Sequence, residues 1–226
     1  MQPFSNLNAI LQAGYSLEYD WQYLGPQIVM ISTHQIGELI LTSGRIIAWD
    51  PLMGPDSRYY FKSSIKPGRY PVIISVADFQ PADDMRIACA MLRISDEATI
   101  KWEVATVNDP NPYQKKELIS YGVDAGTGCF MDWDAAQAFE NQPRSEDDFE
   151  DFCDEIIAAM ERNSFGKHGT AGWANFQVND VTEANIIAFS SGWGDGGYAS
   201  FWGYGASGNL TSLVTDFALF PSDGAA

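Results

Sequence analysis

Short apolar runs separated by turn residues dominate the chain from Gln27 onward. QIVMIS reads as a strand, and ELILT and RIIAWD read as a hairpin turned at Ser43-Gly44. Asp50-Pro51 interrupts the pattern, and PLMGPDSRYYF reads as a loop, because proline restricts the residue before it. Lys66-Pro67-Gly68-Arg69 predicts a turn leading into another strand, YPVIISVA. RIACAMLRIS and TIKWEVA follow. In the second, Ile100, Trp102 and Val104 alternate with Thr99, Lys101 and Glu103, the period of two of a strand with one wet face. The short link Asp96-Glu97-Ala98 predicts antiparallel pairing of these two. VNDPNPYQKK and FGKHGTAGW read as loops, and NIIAFS, GYASFWGY and LTSLVTDFAL as a three-strand meander. Near the N-terminus, Asn6 caps a short helix over Leu7 to Ala13 that Gly14 ends.

The period changes at Ser145. In SEDDFEDFCDEIIAAMERN, Phe149, Phe152, Cys153, Ile156 and Met160 fall on one face of a 3.6-residue repeat. Ser145 with Asp148 fits a capping pair, and an acidic first turn suits the positive end of a helix. Seven acids lie between Glu146 and Glu155. Of these, Glu146, Asp147, Glu150, Asp151, Asp154 and Glu155 are the candidates for a partner-facing surface.

Aromatic and glycine content strengthens the β reading: 7 Trp, 10 Tyr, 13 Phe and 20 Gly in 226 residues. The expectation is one β-rich α+β domain over residues 1–226, a twisted antiparallel sheet or open barrel carrying one long acidic amphipathic helix. Thirty acidic against 13 basic residues give a formal net charge of −17. Such a surface repels phosphate backbones and anionic membranes, so neither nucleic acid nor membrane is an expected partner. It attracts basic proteins. Cys89, Cys129 and Cys153 form no C-x-x-C pair and are odd in number, which points to a reducing cytoplasm. The N-terminus does not read as a secretory signal, and no run is long and apolar enough to span a bilayer.

Two glycine-rich acidic stretches are the candidates for chemistry. In GVDAGTGCFMDWD, Asp124, Asp132 and Asp134 lie around Gly122, Gly126 and Gly128, and clustered carboxylates suit a hard divalent cation. The spacing matches neither an EF-hand nor a phosphate loop, and a helix cap at Asp132 or Asp134 is the competing reading. Cys129 is a nucleophile only if His34 or His168 reaches it, and otherwise a small buried apolar group. The second stretch is SSGWGDGGYASFWGY. Asp195 between glycines reads as a turn aspartate that bonds the backbone amides that follow it, whereas Trp193 has the character of a contact residue.

SGRIIAWDPL, KPGRYPVIISVA, YGVDAGTGCFMD and SSGWGDGGYASFWGYGASGNLTSLVTDF together resemble a bacterial family, the DUF4241 group, in four blocks from about Glu38 to Phe220. By that resemblance Asp195 matches the aspartate of the GDG block, Asp124 the acid of the second glycine-rich block, and Asp216 the acid of the closing VTDF. The resemblance implies fold unity and assigns no role. The leading expectation for function is an acidic module that captures a basic protein, as a bacterial immunity protein does. The alternative is a metal-dependent hydrolase with Asp124, Asp132 and Asp195 as ligands.

Overall fold

The computed structural model describes residues 2–3, 6–21, 25–111, 113, 117–141, 145–179 and 183–220. Residues 112 and 114–116 of the loop expected over VNDPNPYQKK lie outside them. The fold is β-rich: an antiparallel half-barrel, a smaller sheet and one 17-residue helix. The half-barrel follows the order β1 (Ser16–Trp21), β2 (Gly25–Leu41), β4 (Gly68–Gln80), β5 (Asp84–Arg93), β12 (Leu210–Asp216), β11 (Gly196–Tyr204) and β6 (Lys101–Val104). Strand β7 (Ser120–Val123) also pairs with β11, beyond the stretch that β6 uses. The smaller sheet runs β3 (Ile46–Trp49), β8 (Thr127–Asp132), β10 (Ala184–Ser190), β9 (Trp173–Asn179).

QIVMIS and ELILT belong to one strand, β2. A bulge between Gln35 and Gly37 inserts one residue, which reverses the faces to which odd-numbered side chains point. Val29 and Ile31 therefore join one apolar cluster with Phe79, Phe201 and Val214, while Leu39 and Leu41 join another with Ile74, Phe130, Phe189 and Trp202. The second cluster fills the space between the two sheets. A third lies between the small sheet and helices α2 (Trp133–Glu140) and α3 (Glu146–Arg162), with Phe139, Phe152 and Ile156 against Met131 and Ile186. The short helix α1 (Leu7–Ile10), capped by the Asn6 side chain, closes the first cluster with Leu7 and Ile10.

Three expected pairings do not form. Strand β3 leaves β2 at Ser43-Gly44 and joins the small sheet instead of folding back as a hairpin. The buried Asp132 carboxylate accepts from the Ser43 amide and hydroxyl and so fixes the turn in that direction. RIACAMLRIS pairs with β4 and β12, and TIKWEVA pairs with β11, so these two do not pair with each other. In the expected meander only β11 and β12 are neighbours, because β10 lies in the small sheet. The sequence pattern did not predict strands β1, β7, β8 and β9. Helix α3 runs as expected, with the Ser145–Asp148 capping box closed from both sides.

Candidate functional site

Both glycine-rich stretches are links that carry the chain from one sheet to the other: residues 124–126 join β7 to β8, and residues 191–195 join β10 to β11. Gly126, Gly192 and Gly194 all have positive φ, at 63°, 56° and 111°, which glycine adopts without steric cost. The two links meet. The Gly126 amide donates to Asp195 Oδ1 at 2.9 Å, and the Ser191 amide donates to the Gly126 carbonyl at 3.0 Å. Asp195 lies in a turn, but the amide it accepts from belongs to the other link and not, as the sequence had suggested, to the residues that follow it. Tyr198 donates its hydroxyl to the carbonyls of Ser191 and Gly194, tying the second link to the strand that follows it.

Asp50, which the sequence marked only as the end of a strand, is the buried support of this junction. Its residue is 1% exposed. Oδ2 accepts from the amides of Asp124 and Ala125 at 3.0 and 2.7 Å, and Oδ1 accepts from the Leu52 amide at 3.0 Å. Burial pushes its carboxyl above the usual range, against the lowering effect of these amide donors. No local signal in the sequence identifies Asp50, because two of its three partners lie more than seventy residues away.

The remaining candidates have separate surroundings. Asp124 is exposed beside the junction. Asp132 lies at the opposite end of β8, about 20 Å away on a strand rise of about 3.3 Å per residue. Its residue is fully buried, and its carboxylate caps α2 through the Asp134 amide while holding Thr42 and Ser43. The helix-cap reading therefore holds for Asp132, and the proposed ligand trio of Asp124, Asp132 and Asp195 is not assembled. Among the described residues, no group of three His, Cys, Asp or Glu is placed to hold a metal ion. Asp216, also buried, accepts from the Ala218 amide where the chain leaves β12. Cys129 is fully buried, and burial drives its thiol well above the ordinary value, which removes the thiolate a nucleophile needs.

Trp193 is 39% exposed, but its ring is held by two neighbours. It packs on Phe79 at 5.5 Å, and the Arg86 guanidinium lies 5.1 Å from the ring centroid. Arg86 is itself fixed by Asp84 at 3.0 Å. Beyond the junction, α3 presents an acidic face. Glu146, Asp147, Glu150, Asp151, Asp154 and Glu155 are all exposed and form two adjacent i, i+4, i+8 rows, while Phe152, Ile156 and Met160 point to the core.

No curated protein and no solved structure matches the chain. The family model described as protein of unknown function (DUF4241) matches residues 39–215, a span that holds the whole smaller sheet and the half-barrel apart from β1, residues 25–38 of β2 and Asp216 at the end of β12, and the chain belongs to that family.

Proposed function

We propose that the protein is a cytoplasmic acidic binding module that captures a basic protein partner, in the manner of a bacterial immunity protein. The observation that carries this reading is the exposed face of α3. Among the described residues, none of its six carboxylates forms an ion pair with a cation of this chain. The pairs 146/150, 150/154, 147/151 and 151/155 set like charges one helical turn apart, an arrangement that costs a helix about 0.2–0.5 kcal/mol per pair. A cationic partner relieves that repulsion, and a net charge of −17 steers such a partner toward the surface.

Affinity capture of the tagged chain from a native lysate at low ionic strength, with elution on a salt ramp, tests the proposal. A basic protein held at low salt and released as screening increases supports it. Recovery of no basic protein, or of one whose retention is independent of salt, refutes it.

A further inference from the structure

A groove of about 580 Å³ opens beside the N-terminal end of the acidic face, a size within the range of small-ligand pockets. Its apolar lining is Met53, Pro55, Phe139 and Phe149, and Glu146 and Glu150 stand at one side. Both walls are built. The Trp49 indole N–H donates to the Gly54 carbonyl at 2.9 Å and holds the turn that carries Met53. Glu140 also lines the groove, but the Ser57 amide and hydroxyl bind its two oxygens at 2.6 Å each, which docks α2 onto the segment after that turn. Met53 is 55% exposed, an unusual placement for a large apolar side chain against a fixed wall.

We infer that this groove receives an arginine side chain of the basic partner. The inference rests on the reading of the protein as a capture module and names the group that the partner presents. The methylene stem of arginine suits the apolar floor. The planar guanidinium stacks on aromatic rings and pairs with carboxylates through a fixed fork of donors. Glu146 and Glu150, one turn apart on α3, supply the complementary charge, while Phe149, between them in sequence, supplies the ring. Glu140, held in place by Ser57 through one hydrogen bond to each oxygen, adds a third negative charge to the lining.

The test is a titration of the full chain, labelled with ¹³C at its methionine methyl groups, with the capped tripeptide glycyl-arginyl-glycine at low salt. The Met53 resonance is assigned through Met53→Leu. The expected result is a saturable shift of that resonance, absent with the citrulline tripeptide, weaker with the lysine tripeptide, and at least ten-fold weaker in binding for Glu146→Gln/Glu150→Gln. An unmoved Met53 resonance, or equal shifts with citrulline, overturns the inference, and equal binding of lysine overturns the choice of arginine. The variant Asp151→Asn/Asp154→Asn/Glu155→Gln separates the two proposals. It retains the tripeptide shift while weakening capture of the protein partner. Salt-sensitive capture without the tripeptide shift leaves the capture module standing and removes the groove.

Discussion

Replacing Asp50 by asparagine tests whether the junction of the two glycine-rich links depends on one buried carboxylate. The side chain keeps its shape, but only one of its two terminal atoms still accepts. With its oxygen toward the amides of Asp124 and Ala125, its NH₂ group faces the Leu52 amide, donor against donor. Leaving a buried donor unsatisfied costs about 1–3 kcal/mol. Asp50→Ala frees three amides, of which those of the exposed residues Asp124 and Ala125 regain water, so its cost is about 2–4 kcal/mol. Urea unfolding followed by tryptophan fluorescence measures both. With a slope of about 2–3 kcal/mol per molar for a chain of this size, Asp50→Asn lowers the midpoint by about 0.3–1.5 M and leaves the slope unchanged. A midpoint within about 0.2 M of wild type, against a reproducible error of that order, refutes the assignment of Asp50 as the support of the junction.

Other outcomes follow from the same geometry. Burial is the leading cause that holds Asp50 and Asp132 above the usual carboxylate range. The folded state therefore binds protons more tightly than the unfolded chain, and the stabilisation that these groups contribute is full below the ordinary aspartate value of 3.8 and falls as pH rises through the raised native values. The urea-midpoint difference between wild type and Asp50→Asn narrows over that window, and a difference that widens contradicts the sign. Gly192→Ala places a Cβ 2.9 Å from that of Phe217 at φ 56°, and destabilises by about 2–4 kcal/mol through backbone strain and overpacking; thermal unfolding near the wild-type temperature refutes it. Burial raises all three thiols, Cys89 to about 12, and only Cys153 is part-exposed. Native protein at pH 8 therefore reacts slowly at Cys153 alone with a disulfide reagent, whereas a fast-reacting Cys129 revives the nucleophile reading.

Features encoded in neighbouring residues were legible in the sequence. The apolar stripe of α3, its capping box, the cap at Asn6 and the Asp132 cap each depend on residues within a turn or two, and each forms in the fold. Strand partners were not legible. TSG looks like a hairpin turn, yet Asp132, about ninety positions away, holds Ser43 and redirects the chain into the other sheet. The same limit hid Asp50. GVDAGTG and GWGDG showed their conformational freedom plainly, but not that they cross between sheets and bond to each other through Gly126 and Asp195. Trp193 carried the signal of a contact residue, and Phe79 and Arg86, remote in sequence, turn out to hold it.

The acidic face of α3 can be neutralised with little effect on folding. Relief of four like-charge pairs, about 1–2 kcal/mol in total, offsets the loss of Glu146 and Asp147 from the positive end of the helix, about 0.3–1 kcal/mol each. Parallel capture at low salt by wild type and by Glu146→Gln/Asp147→Asn/Glu150→Gln/Asp151→Asn/Asp154→Asn/Glu155→Gln, both shown to unfold cooperatively, then isolates the charge. Wild type retaining a basic protein that the six-fold variant releases is the predicted result. Equal retention by both contradicts the assignment of α3 as the capturing surface.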